Sequence, residues 1–225
     1  MPDDANTTPK VSRDSIGNTL FVAIGVSLVC SILVASAAVI LKPRQLQNEE
    51  EYRQRIILDV AGLYEPGADI ATLYASIEET STVLASGEQA PVYLVMDDVR
   101  IEQVILPIEG AGLWATMYGF LAVESDGNTV RGLRFYDHGE TPGLGDQVDK
   151  PAWRAQWPGK KLYGADGEPQ IEVVKGRAPD NSEFEIDGLA GATLTGRGVS
   201  VFVRHWIGDE GYGPYLKALS DKETQ

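Results

Sequence analysis

The chain has 225 residues, of which 43% are hydrophobic and 23% are charged, as is typical of a protein with a packed core. Nineteen Lys and Arg residues stand against 33 Asp and Glu residues, so the formal net charge is −14. This balance argues against a nucleic-acid partner, because binding to phosphate backbones needs clustered basic residues. One cysteine cannot form a Cys₄ iron–sulfur or zinc site, and the two histidines, His138 and His205, lie far apart without a motif between them, so no metal site is predicted.

An apolar segment without a charged residue runs from Leu20 to Leu41. Its 22 residues, at about 1.5 Å each, form a helix of roughly 33 Å, enough to cross a hydrocarbon core of about 30 Å. A cleaved signal peptide is the alternative, because Ala35-Ser-Ala37 resembles a cleavage site. The apolar segment continues past that site, which favours an uncleaved anchor. We therefore predict an N-terminal tail over residues 1–18 and a transmembrane helix over residues 19–41.

The rest of the chain has first helical and then β-like periodicity. Apolar residues at helical spacing predict a helical linker region over residues 42–90. The predicted strands are Pro91–Asp97, Val99–Ile108, Met117–Glu124, Thr129–Tyr136 and Gln170–Lys175, and the later helices are Pro151–Trp157 and residues 196–207. Strands followed by helices, without regular βαβ alternation, indicate an α+β fold. A single globular domain is therefore predicted over residues 91–225.

Small residues crowd the segment Asp187-Gly-Leu-Ala-Gly-Ala-Thr193, just before the last predicted helix. Such a segment can approach a phosphate closely, because amide groups at a helix N-terminus and the helix dipole favour an anion. The hydroxyl group of Thr193 or Thr195 could be esterified there. An ordinary helix cap is the alternative and, judged from the residues alone, the more frequent case.

This segment resembles the motif that FMN transferases recognise, an Asp followed by Ser/Thr-Gly-Ala-Thr, in which the last threonine accepts FMN through a phosphoester bond. The resemblance implies covalent FMN on Thr193, with Thr195 as the fallback acceptor. The matching residues are Asp187, Gly188, Gly191, Ala192 and Thr193. Ala190 departs from the motif, which has Ser or Thr at that position, but the acceptor hydroxyl is retained.

Six collinear segments extend the resemblance over most of the chain. They are residues 20–32, Val104–Trp114, Met117–Glu124, Gly139–Gly145, Pro151–Trp157 and Gly208–Pro214. Together they resemble the C subunit of the Na⁺-translocating NADH:quinone reductase. The fold that this resemblance implies is one N-terminal transmembrane helix followed by a single FMN-binding domain.

The family resemblance also implies the flavin contacts. In the family, the loop Gly139–Gly145 lies against the isoalloxazine ring, whereas a tight Pro-Gly turn is the alternative interpretation of these residues. The contacts implied by position are Glu140, Thr141, Leu144 and Gly145, with Gly191 and Ala192 beside the attachment site. Lys175 could lie near the N1–C2=O edge of the flavin, or it could simply be solvated. No catalytic acid, base or nucleophile is predicted in this chain.

The implied function is electron transfer in a membrane complex. The chain would relay electrons through FMN from iron–sulfur and flavin centres of partner subunits toward quinone, while the whole complex exports sodium. Its implied partners are the other subunits of the reductase, membrane lipid and, during maturation, an FMN transferase. The alternatives are the FMN-carrying G subunit of the related Rnf complex, a flavin-free scaffolding subunit, and a membrane-anchored solute-binding module.

Two lines of reasoning disagree about the orientation in the membrane. The basic residues before the apolar segment are Lys10 and Arg13, and those after it are Lys42, Arg44, Arg53 and Arg55. By the positive-inside rule, this count places the domain in the cytoplasm. The family resemblance instead implies a bacterial inner (plasma) membrane protein with a periplasmic domain, and we adopt that prediction because the rule counts few residues here.

Overall fold

The computed structural model of this chain describes residues 15–223. It divides into a first unit that ends at Glu49 and a second that begins at Glu50. Most of the predicted N-terminal tail, including Lys10 and Arg13, lies outside the described residues. Helix α1 begins at Ile16, so the last residues of the predicted tail are helical.

Helix α1 spans Ile16–Val60 and carries the predicted membrane segment. In the described part of the chain it is the one helix long and apolar enough to cross a membrane, with a mean hydropathy of 2.6 and no burial in its most apolar window. The helix does not end at residue 41 as predicted, and it passes through Pro43. Residues 44–55 are rich in Gln, Glu and Arg, which are good helix formers, so the helix continues beyond the apolar segment.

The second unit is built on a five-stranded antiparallel sheet with the strand order β1-β2-β3-β4-β5. The short helix α2 (Ile70–Tyr74) precedes it. The strands are β1 (Ile77–Val83), β2 (Gln89–Asp97), β3 (Arg100–Ala111), β4 (Thr116–Glu124) and β5 (Val130–Asp137). Four of them match the predicted strands closely, and the α+β class is confirmed.

A 3₁₀ turn, three helices and a small second sheet complete the unit. The 3₁₀ turn is Gly145–Asp149, the helices are α3 (Pro151–Arg154), α4 (Thr193–Ile207) and α5 (Gly213–Glu223), and the parallel strand pair is β6 (Glu172–Val173) with β7 (Glu185–Ile186). The predicted strand over 170–175 is therefore shorter than expected, and α5 was not predicted. Helix α3 ends before Trp157, because that residue's amide makes a turn bond to the carbonyl oxygen of Arg154 (3.1 Å).

The predicted helical linker over residues 42–90 is wrong in its C-terminal part. Strand β1 lies inside it, and β2 begins at Gln89, ahead of the predicted domain start at residue 91. The sequence concealed β1 because most of its side chains are exposed and polar, so no alternation is visible. Pairing with β2, from Ile77 opposite Val95 to Val83 opposite Gln89, makes it a strand.

The two faces of the sheet are both covered. One face packs Leu106, Leu121 and Phe135 against α4 and α5, and the rings of Phe135 and Phe202 meet edge to face at 6.0 Å. The opposite face packs against the end of α1, residues Ile56–Val60. Helix α4 lies very close to the end of β3, since a Cβ atom added to Gly198 would be 2.5 Å from the carbonyl oxygen of Ala111. This packing fixes where the N-terminus of α4 can lie.

The turn between β4 and β5 is held by the carboxylate of Asp126. Its Oδ1 atom accepts hydrogen bonds from the amides of Asn128 (2.9 Å) and Thr129 (2.7 Å), and its Oδ2 atom pairs with Lys161 at 3.3 Å and accepts the Thr129 hydroxyl. Gly127 has φ +67°, in the left-handed region. Burial alone would raise the pKa of Asp126, but the Thr129, Asn128 and Lys161 donors outweigh it and hold this pKa below the ordinary 3.8.

We predict that Asp126→Asn lowers the free energy of unfolding by about 1 kcal/mol, a modest value because the carboxylate is partly solvated. A lowered folded-state pKa contributes stability above the unfolded-state pKa, and this stability disappears as the pH falls through the folded value. The difference between the wild-type and variant proteins should therefore be full above pH ~5 and shrink toward pH ~3. Urea unfolding in detergent, followed by tryptophan fluorescence, measures it. A difference that grew on acidification would contradict the assignment.

Candidate functional site

The start of the Asp187–Thr193 segment is fixed by three hydrogen bonds of one residue. The amide of Asp187 donates to the side-chain oxygen of Gln156 (3.0 Å), and its carbonyl oxygen accepts from the indole N–H of Trp153 (2.9 Å). Its carboxylate accepts from the amide of Ala178 (2.8 Å). Asp187 therefore anchors the segment from within the protein.

Glycine is required at two positions of this segment. A Cβ atom at Gly188 would lie 2.3 Å from the carbonyl oxygen of Val174. Gly191 has φ +75°, and a Cβ atom there would lie 2.8 Å from Cδ2 of Leu144. The side-chain amide of Gln147 also donates to the carbonyl oxygen of Ala190 (3.0 Å). These contacts bring the segment against the loop Gly139–Gly145, so the structure joins the two predicted parts of the site.

The two candidate acceptor threonines have opposite surroundings. Thr193 is the first residue of α4, and its side chain is exposed and lines a surface cavity. Thr195 is 0% exposed, and its hydroxyl donates to Oε2 of Glu140 at 2.5 Å. A bulky group can therefore reach the Thr193 hydroxyl, whereas the Thr195 hydroxyl is enclosed and already bonded.

Glu140 is buried at the junction of three segments, with 6% of its surface exposed. In addition to the Thr195 hydroxyl, its carboxylate accepts the amides of Leu113 (2.7 Å) and Trp114 (3.4 Å) through Oε1. Two glycines pack directly against this carboxylate. A Cβ atom added to Gly112 or to Gly145 would lie 2.4 Å from one of its oxygens, so a larger residue at either position would collide with it. Glu140 therefore supports the site from beneath the surface, and its contact with a flavin stays a prediction.

The other residues of this loop divide between surface and interior. Thr141 and Leu144 are exposed, whereas Gly145 is buried. The carbonyl oxygen of Thr141 accepts the amide of Leu144 (3.1 Å), which closes a tight turn around Pro142-Gly143. Leu144 thus stands at the surface next to Gly191, where an apolar side chain can contact a planar ring. Ala192 is buried beneath them.

The cavity beside Thr193 has a volume of about 380 Å³ and is rich in cations. Lys175 lines it from the segment that follows β6, so this candidate flavin contact borders the same cavity as Thr193. Arg197 and Arg204 line it from α4. The sequence-based predictions did not include Arg197, although its spacing of four residues from Thr193 places both on one face of a helix.

A second, more apolar groove of about 370 Å³ lies between the tip of the β3–β4 hairpin and α4. Its lining residues are Ala111, Gly112, Leu113, Leu194, Arg197, Gly198, Val201 and Phe202. Trp114 at the hairpin tip is 70% exposed and Leu194 is 59% exposed. Exposed apolar side chains near a groove are typical of a surface that a ligand or partner covers. The sequence-based predictions also missed this groove.

Within the described range, residues 15–223, the chain has no group of three or more His, Cys, Asp or Glu residues that could hold a metal ion. His138 pairs with Asp149 at 2.9 Å.

We predict that Glu140→Ala and Thr195→Val each lower the free energy of unfolding by about 1–3 kcal/mol, because each leaves a buried polar group without its partner. The double variant should lose less than the sum, since both changes remove the same hydrogen bond. Thr193→Val is the matched control and should change the stability by less than about 0.5 kcal/mol. Additive losses in urea unfolding would show that the two residues do not interact.

Comparison with known proteins adds to this geometry. Residues 112–208 match the FMN-binding domain family. The chain is 41% identical to the C subunit of the Na(+)-translocating NADH-quinone reductase of Vibrio alginolyticus, with 94% of this chain and 98% of the relative covered. The corresponding protein of Pasteurella multocida is 42% identical, with 92% and 96% covered.

Two solved structures share the fold over most of this chain. The crystal structure of Shewanella oneidensis NqrC matches with a TM-score of 0.70 and 29% identity, covering 78% of this chain and 99% of that one. The structure of the C subunit from Parabacteroides distasonis matches with a TM-score of 0.66 and 28% identity, covering 78% and 96%. Collinear similarity of this extent shows the family: the chain belongs to the C subunits of the Na⁺-translocating NADH-quinone reductases.

Proposed function

We propose that this chain is a membrane-anchored flavoprotein subunit that carries FMN covalently, through a phosphoester bond to the Thr193 hydroxyl. The observation that carries the proposal is the contrast between the exposed Thr193 and the enclosed Thr195. The FMN-binding domain match contains both threonines, as well as the loop Gly139–Gly145.

The departure from the flavinylation motif at Ala190 is compatible with this proposal. Ala190 is exposed, and its contribution to the loop is its carbonyl oxygen, which accepts the Gln147 amide. A Ser or Thr side chain is therefore not needed to hold the segment in place. Asp187, Gly188 and Gly191 match the motif, and the hydrogen bonds and close contacts described above account for each of them.

The surroundings of Thr193 suit both ends of an FMN molecule. Lys175 and Arg197 supply positive charge in the adjoining cavity, and Leu144 and Leu194 offer exposed apolar surface for a ring. We assign Lys175 to the N1–C2=O edge, where an ammonium group favours the negative charge that a flavin gains on reduction. We also propose that Thr141, which is exposed, contacts the ring edge, and that the buried Gly145 and Ala192 lie beneath the ring.

The bound flavin would supply the redox chemistry, and this chain would hold and orient it. We propose that the chain holds that flavin within a multisubunit NADH:quinone reductase and passes electrons from partner iron–sulfur and flavin centres toward quinone. Sodium translocation would belong to the assembled complex. The collinear similarity over 94% of the chain supports this interpretation over the G subunit of the Rnf complex.

We predict that Thr193→Val abolishes in-gel flavin fluorescence after denaturation, because no accessible hydroxyl remains at the site. Thr193→Ser keeps a hydroxyl and should retain fluorescence, and Thr195→Val should also retain it. Membranes containing the Thr193→Val protein should lose sodium-dependent NADH:quinone reduction. Fluorescence lost in Thr195→Val but kept in Thr193→Val would move the acceptor to Thr195, and no fluorescence in the wild-type protein from its native host would favour a scaffolding subunit.

We further propose that α1 crosses a bacterial inner membrane once, with the second unit on the periplasmic side. Family membership supports this orientation, although the basic residues after the apolar segment favour the opposite one. Trypsin added to intact spheroplasts should then cleave the domain, for example at Arg177, whose side chain is 81% exposed. A cytoplasmic domain would remain uncut until the membrane was permeabilised.

A further inference from the structure

The cavity beside Thr193 has an unusual charge balance for an acidic chain. Its wall contains three cations and one anion, although the net charge of the chain is −14. Arg204 is occupied, because its guanidinium pairs with Glu172 (2.7 Å) and donates to the carbonyl oxygens of Gln170 and Ile171. Within the described part of the chain, Lys175 and Arg197 have no ion pair or side-chain hydrogen bond. Two cations thus remain available for an anion in this cavity.

The first turn of α4 adds to this local positive potential. Its N-cap residue is Ala192, so no side chain caps the helix, and the first turn contains no acidic residue. The first amide groups of a helix have no acceptor within the helix itself and carry the positive end of its dipole. Thr193 stands at this end, so a phosphate esterified to its hydroxyl would lie beside these amides.

The two free cations differ in what they can reach. In a phosphoester of Thr193, the phosphorus atom is bonded directly to the side-chain oxygen. The phosphate would therefore lie at the first turn of α4. Arg197 is four residues further along the same helix, lines the same cavity as Thr193, and also borders the apolar groove on the other side. Lys175 approaches from the separate wall after β6. Arg197 shares a helix face with Thr193, and side chains on a helix lean toward its N-terminus, so its guanidinium can reach a phosphate at Thr193.

We propose that Arg197 is a phosphate-binding residue, whose guanidinium forms a bidentate ion pair with the phosphodiester that links FMN to Thr193. The inference rests on the proposed attachment at Thr193. A phosphodiester carries one negative charge at neutral pH, and a guanidinium presents two parallel N–H donors to it. The pair fixes the first atoms of the flavin chain against α4, so the ring has fewer positions to sample.

The test compares thermal unfolding of the full-length chain with and without FMN. Arg197→Gln is made in the wild-type protein, loaded by an FMN transferase, and in Thr193→Val, which cannot be loaded. In the unloaded pair the melting temperature should not change, because Arg197 has no ion pair or side-chain hydrogen bond to lose among residues 15–223. In the loaded pair it should fall by about 2–6 °C through the lost charge-assisted bond. Arg197→Lys should recover part of this loss.

A matched control and a second measurement complete the test. Arg100→Gln removes the same charge from an exposed arginine at the opposite end of β3 from Ala111, the residue that α4 approaches. The strand separates Arg100 from Ala111 by about 36 Å. This control should leave the melting temperatures of the loaded and unloaded proteins unchanged. The ³¹P NMR shift of the loaded protein should move in Arg197→Gln but not in Arg100→Gln. Lys175→Gln should lower the flavin midpoint potential while leaving the ³¹P shift in place.

Three results would overturn the proposal. If Arg197→Gln lowered the melting temperature equally in the loaded and unloaded proteins, Arg197 would have a purely structural role. If it lowered neither melting temperature and left the ³¹P shift unchanged, Arg197 would not contact the phosphate. If Arg100→Gln lowered the melting temperature of the loaded protein as much as Arg197→Gln does, the change in net charge alone would explain the effect. Failure of the attachment itself is seen separately, because intact-mass measurement would then find no FMN on the wild-type protein, or FMN still present on Thr193→Val.

Discussion

The buried carboxylate of Glu140 connects three segments that are far apart in the sequence. It accepts amides from the tip of the β3–β4 hairpin and the hydroxyl of Thr195 in the first turn of α4, and it belongs itself to the loop Gly139–Gly145. A charge with 6% exposure is tolerated only when donors surround it, so each segment must be in place for the other two to be stable. The position of Thr193, two residues from Thr195, follows from this junction. A cofactor on Thr193 would thus be attached to a rigid frame.

Glycines around this junction act mainly by allowing close packing. Gly188 and Gly191 are required by a carbonyl oxygen and by the side chain of Leu144, and Gly198 lets α4 approach the end of β3. From the sequence, the small residues before α4 were expected to leave space for a phosphate. In the structure, Gly188 and Gly191 instead allow neighbouring parts of the protein to pack closely against the segment. The same packing buries Ala192 and Thr195, whereas Thr193 stays exposed.

Local charge, and not net charge, characterises the proposed site. The chain is strongly acidic, yet the cavity next to Thr193 contains Lys175 and Arg197, which have no ion-pair partner among residues 15–223, beside a helix N-terminus without a side-chain cap. Electrostatic effects in water fade over about 10 Å, so distant carboxylates matter little to an anion held there. Net charge argued against a nucleic-acid partner, which needs an extended basic surface. It carried no information about one phosphate bound at one helix end.

The apolar N-terminal helix, four of the five strands of the large sheet and, by resemblance, the family could be predicted from the amino-acid sequence. These features are local, because periodicity and short motifs can be recognised within a few consecutive residues. The packing of distant segments buried Thr195 but left Thr193 exposed, placed Glu140 beneath the candidate site, made β1 a strand, and put Arg197 in the cavity next to Thr193. Each of these depends on contacts between distant positions, such as Glu140 and Thr195, which are 55 residues apart. Burial and pairing of this kind are set by how the sheet and helices pack, and no window of the sequence contains both partners.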